Sequence, residues 1–154
     1  MTHFVVLAFL IGVVAGLRSL TAPAVVSWAV RLGWLHPGSD LVAFWGAAAT
    51  AYSFSALAVG ELIADQLPNT PSRKAPVGFI ARIVTGALCG AVFGSAGQAL
   101  VTGAIAGVAG AIAGTLGGYE ARIRLGRLLG KDLPAALIED VIAIGGALLL
   151  VRWG

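Results

Sequence analysis

Cysteine is almost missing from this 154-residue chain, with Cys89 the only one. A single thiol excludes an intrachain disulfide framework and a cysteine-based zinc site. Charge is scarce too: charged residues make up 11%, and aspartate and glutamate together number 7. That is far below the roughly 25% charged residues of an ordinary soluble domain. The two histidines, His3 and His36, belong to no His-Glu metal helix, and no Ser-His-Asp order occurs. Gly110 to Gly118 lacks the lysine and the preceding strand that a phosphate-binding loop needs. No metal and no cofactor is therefore expected. No lysine or arginine precedes the first apolar run, so that run reads as a retained membrane segment rather than a cleaved leader.

What the chain has instead is hydrophobicity, at 58% of residues and a mean hydropathy of +0.94. Leu41 to Gly60 is an uncharged run of 20 residues and Ile83 to Tyr119 one of 37. About 20 apolar residues cross a hydrocarbon core of roughly 30 Å, so the longer run suits two helices that turn back on each other. The expected fold is an all-α integral membrane protein of five or six embedded helices, forming a single membrane domain over 1–154. The net charge of +3 resides in basic links: Arg73, Lys74 and Arg82 in one, Arg122, Arg124, Arg127 and Lys131 in the other. The positive-inside rule puts both on the cytoplasmic side of a bacterial inner membrane. Without a basic stripe on a soluble element, no nucleic-acid partner is expected.

Phe4 to Leu35 as one helix would reach about 48 Å and overshoot the bilayer. Pro23 removes a backbone donor and Thr21 is a good N-cap, which predicts helices at about 4–20 and 23–35. Further helices are expected at about 41–66 and on either side of a break near Ser95 to Gln98. A polar loop at 67–75 and a basic link at 122–131 separate the later helices, and the last helix runs from Asp132 to about Val151. Gly12-x-x-x-Gly16 before Thr21 is echoed by Gly86-x-x-x-Gly90 before Ser95. This suggests halves 1–75 and 76–154 forming an inverted repeat with broken or re-entrant helices. Glycines at fourfold spacing, Gly86, Gly90 and Gly94, then Gly103 and Gly107, then Gly110, Gly114 and Gly118, predict glycine-zipper packing or assembly into a homodimer or small oligomer.

Arg18 interrupts the first apolar stretch, at an insertion cost of roughly 2.5 to 3.5 kcal/mol for a central membrane arginine. Beside a helix N-terminus, Arg18, Ser19 and Thr21 make a sensible anion site, with Ser95 and Gln98 as its echo in the second half. The alternative is that Arg18 pairs with Glu61 or Asp65 and locks the fold. Glu61 and Asp65 share one helix face near its C-terminal end and are candidates for proton or ion coupling, as are Glu139 and Asp140. Arg73 and Arg82 are their expected charge partners.

Gly16-Leu17-Arg18-Ser19-Leu20-Thr21-Ala22-Pro23, Gly60-Glu61-Leu62-Ile63-Ala64-Asp65-Gln66-Leu67-Pro68, Pro71-Ser72-Arg73, Gly117-Gly118-Tyr119-Glu120-Ala121-Arg122, and Leu133-Pro134 through Glu139-Asp140 span nearly the whole chain. Together they resemble a family of small bacterial membrane proteins, domain of unknown function 4126. The resemblance implies membrane location and the prominence of these motifs, and no activity. Glu61-x-x-x-Asp65 before a basic loop is also similar to membrane enzymes that handle lipid phosphates, without their dense aspartates. Three functions follow as expectations: a small carrier or channel for an anionic solute or headgroup, a lipid-phosphate enzyme using Glu61, Asp65 and Arg73, and a non-catalytic scaffold. The lipid bilayer is a partner in all three.

Overall fold

A computed structural model describes residues 2–65, 75–130 and 132–154. Its helices are α1 (Thr2–Leu17), α2 (Thr21–Arg31), α3 (Ala48–Ala64), α4 (Pro76–Ala96), α5 (Leu100–Leu129) and α6 (Asp132–Arg152), with a 3-10 helix, Asp40–Gly46, ahead of α3. There is no strand among the described residues. Three helices are long and apolar enough to cross a membrane: Pro76–Ala96, Leu100–Leu129 and Leu133–Arg152. Thr2–Leu17 and Ala48–Ala64 are apolar but shorter.

The centre of the bundle is a trio of helices, α1, α4 and α5, brought together by residues without side chains. A Cβ on Gly12 would fall on the Gly107 carbonyl, and one on Gly16 on the Ala111 carbonyl, so α1 and α5 run parallel. On the other flank of α5, Gly86 lies against Ala111, Gly90 against Gly103 and Gly94 against Ala99, which makes α4 antiparallel to it. In lipid the hydrophobic effect does not pull helices together, and close backbone approach supplies the van der Waals contact instead. Around the trio, Ile11, Val26, Val92, Phe93, Ala143, Ala147 and Val151 complete a core to which α2 and α6 contribute.

The chain reverses at each break, and this sorts the molecule into two ends. At one end Gly97 lies against Phe4, Gly38 against the Ser95 carbonyl, and Gly154 against Phe93 and Leu35. The other end carries Arg18, the start of α4 and the last turns of α5.

Several boundaries depart from expectation. The first break falls at Arg18 to Leu20, so α2 starts at Thr21 and Pro23 occupies its first turn, where its missing donor costs nothing. Thr21 is not the N-cap; the cap residue is Leu20, with no side-chain cap bond of its own. The helix expected at 41–66 is divided into the 3-10 helix and α3. Arg122, Arg124 and Arg127 lie not in a link but on α5, which continues to Leu129 and ends at Gly130 in the left-handed region, φ 67°. Leucine and arginine are good helix formers, so nothing stops this helix before its glycine. The second break, at Gly97 to Ala99, falls where it was expected, near Ser95 to Gln98.

Candidate functional site: a buried ionic cluster

Arg18 lies at the C-terminal end of α1, its backbone N–H still bonded to the Val14 carbonyl at 2.8 Å. The Thr115 hydroxyl of α5 donates to the Ala111 carbonyl of its own helix at 2.7 Å and lies 3.2 Å from the Gly16 carbonyl, so α5 packs directly against this end of α1. The Arg18 side chain is fully buried. A guanidinium so placed must meet its charge inside the protein, and two helices distant in sequence supply the carboxylates. Its Nε donates to Asp140 Oδ1 at 2.7 Å and its Nη2 to the same oxygen, while Nη1 bonds Asp65 Oδ2. Asp65 stands just past the end of α3 and Asp140 on α6, so one side chain fastens α1, α3 and α6 together.

Glu61, one turn before Asp65, goes elsewhere. Its Oε1 accepts from the Ser19 backbone N–H at 2.9 Å and the Ser19 hydroxyl at 2.5 Å, and its Oε2 accepts from the Leu20 N–H at 2.9 Å. These are donors that the start of α2 leaves over, and the positive end of that helix favours an anion. Thr21, expected to cap α2, does not; a carboxylate from a different helix instead binds the N–H groups just ahead of it. Thr21 itself is buried, and its hydroxyl has no hydrogen-bond partner among the described residues.

The remaining sequence candidates are divided. Ser95 and Gln98 do not join the cluster: they lie at the opposite end of α1, a helix about 24 Å long. There the Ser95 hydroxyl bonds the Val92 carbonyl at 2.8 Å and Gln98 takes the left-handed turn between α4 and α5, φ 57°. Glu139 is next to Asp140 in sequence but pairs outward, with Arg122 at 3.8 Å. Arg82 is buried on α4. Arg73 lies outside the described residues, as does Lys131. Arg122 was not among the sequence candidates; its reversal of the polarity on a glycine-rich face of α5 was the available signal.

Arg18 and the start of α2 therefore face three carboxylates, Glu61, Asp65 and Asp140. Such a cluster can hold the bundle shut, exchange one anion for another at the α2 N-terminus, or take up a proton. No family model, curated protein or solved structure matches the chain.

Proposed function

We propose that this protein is a small carrier for an anionic solute or lipid headgroup in the bacterial inner membrane, with Glu61 standing in for the anion in the resting state. The observation that carries the reading is the Glu61 carboxylate on the Ser19 and Leu20 N–H groups beside Arg18. A site that binds one carboxylate through backbone donors and a hydroxyl is chemically fit for another, or for a phosphate oxygen. In this mechanism a proton on Glu61 weakens its hold on the α2 N-terminus, and the incoming anion takes its place next to Arg18, Ser19 and Thr21. Asp65 and Asp140 keep Arg18 neutralised while the exchange occurs.

The topology proposed with it has five or six embedded helices, both basic ends on the cytoplasmic side and glycine-zipper packing. Membership of the family that the motifs resemble, and assembly as a homodimer, are part of the same proposal. An inverted repeat finds support in the antiparallel course of α1 and α4, the first helices of the two halves. The lipid-phosphate enzyme has no observation in its favour, since Arg73, the residue expected to work with Glu61 and Asp65, lies outside the described residues.

Proteoliposomes loaded with acetate, lactate or inorganic phosphate provide the test. The parent is expected to exchange at least one of these anions at a rate that rises with a proton gradient. Glu61→Gln keeps the shape but removes the charge, and should leave flux insensitive to that gradient. Absence of anion flux in both proteins, with Glu61→Gln merely less stable, would leave the cluster as a lock and refute the carrier.

A further inference from the structure

The carboxylate seated at the start of α2 does not use every donor there. Glu61 places Oε1 on the Ser19 N–H and hydroxyl and Oε2 on the Leu20 N–H, so both of its oxygens are engaged. One hydroxyl is left over. Thr21, the first residue of α2, is only 4% exposed, and its Oγ1 has no hydrogen-bond partner among the described residues. The other buried hydroxyls behave differently: Ser27 bonds the Pro23 carbonyl, Ser95 the Val92 carbonyl and Thr115 the Ala111 carbonyl. A buried hydroxyl without a partner has given up its bonds to water for nothing, and native structures seldom keep one unless something else binds it.

We propose that the anion which displaces Glu61 is a tetrahedral oxyanion, a phosphate group, and that Thr21 selects it over a carboxylate by donating to its third oxygen. This deepens the carrier reading and rests on it. Two arguments connect Thr21 to the site. Cα–Cβ bonds in a helix tilt toward its N-terminus, so the Thr21 side chain leans toward the end of α2 that Glu61 occupies. The N–H groups of Thr21 and Ala22 are also among those that a helix start leaves without an intrahelical partner, while Pro23 has none to offer. A carboxylate has two oxygens, which Ser19 and Leu20 already satisfy. A phosphate group brings a third acceptor and a negative charge that the helix N-terminus favours.

Binding is read on the full chain in detergent, in a Glu61→Ala background that empties the start of α2, at fixed pH and ionic strength. Methanesulfonate and acetate carry the same charge and differ in having three oxygens or two, so their comparison isolates the third contact. The Glu61→Ala protein is expected to bind methanesulfonate about tenfold more tightly than acetate, the effect of one hydrogen bond to a charged group. Adding Thr21→Val, which keeps the shape, should abolish that preference, and Thr21→Ser should keep it. Without any anion, Thr21→Val alone should melt no lower than the parent, because it removes a polar group that has no partner. If Glu61→Ala does not purify, competition by the same two anions against phosphate exchange, in proteoliposomes of the parent and of Thr21→Val, makes the same comparison. Inorganic phosphate and phosphatidic acid then separate the sources: binding of the first assigns a free anion and binding of the second alone a lipid headgroup, and both uphold the selection. Equal affinity for methanesulfonate and acetate, or a preference that survives Thr21→Val, overturns this inference and leaves the carrier standing. A Thr21→Val protein that melts well below the parent also overturns it, since the hydroxyl would then be paired within the fold. Absence of binding and of exchange for every anion overturns both.

Discussion

Arg18 draws carboxylates from two other helices onto one side chain. Its two aspartates come from different helices, so removing the guanidinium takes this counter-charge from a buried Asp140 and a partly buried Asp65. Arg18→Gln is expected to cost about 3–5 kcal/mol, the usual effect of breaking a buried pair from one side. Adding Asp140→Asn should then recover part of the loss, with a coupling of about 0.5–3 kcal/mol. Thermal unfolding of the parent, both single variants and the double variant in detergent measures this directly; strictly additive losses would contradict the pairing. The sequence made Arg18 conspicuous because an arginine within an apolar stretch demands a partner. It pointed to Glu61 and Asp65 because they are the nearest acids on a single face. It could not point to Asp140, 122 residues away, because that contact exists only once α6 has packed beside α1.

At the scale of the element, the glycines are alike in sequence and unlike in space. Gly86, Gly90, Gly103 and Gly107 sit where α4 and α5 come closest, and any Cβ there would run into the facing backbone. Gly90→Leu or Gly107→Leu should therefore prevent folding or monodisperse purification, since the helices must separate to admit the side chain. Gly126→Leu, with nothing within 4 Å, should purify and melt as the parent does. Size-exclusion profiles and melting temperatures of the three variants decide the matter; equal behaviour would mean that close approach of α4 and α5 contributes little. The α2 N-terminus illustrates a different limit on local reading. Thr21 has the chemistry of a cap, yet Leu20 is the cap residue and the Ala24 N–H goes to the Leu20 carbonyl at 3.1 Å, while the Glu61 carboxylate takes the Ser19 and Leu20 N–H groups just ahead, where the helix dipole favours a negative charge.

Across the whole molecule, the two ends have opposite character. The ionic cluster and the arginines of α5 occupy one end. Aromatic residues collect toward the other: Trp45 stacks on Phe54 with ring centroids 5.4 Å apart, and Arg152 stands 4.9 Å above the Trp34 ring. Amphipathic rings favour the membrane interface, and the excess of lysine and arginine favours the cytoplasmic side. In a Cys89→Ser background, cysteines at Val77 and Leu128, both highly exposed, should react with an impermeant reagent from the same, cytoplasmic, face. A cysteine at His36 should react from the opposite face. Labelling of Val77 and Leu128 from different faces would overturn the proposed orientation.

The sequence by itself determined that the chain is helical and apolar, where its long hydrophobic runs lie, and that the first of them must break near Arg18. Those properties depend on composition, run length and the local effect of proline and charge, all of which act over a few residues. Only the tertiary structure decided that Arg18 meets Asp140, that Glu61 caps α2, that Ser95 and Gln98 stand at the far end of α1, and which glycines touch. Each of these depends on the rotation and depth at which one helix packs against another, and that is set by the joint fit of the helices together rather than by any one segment.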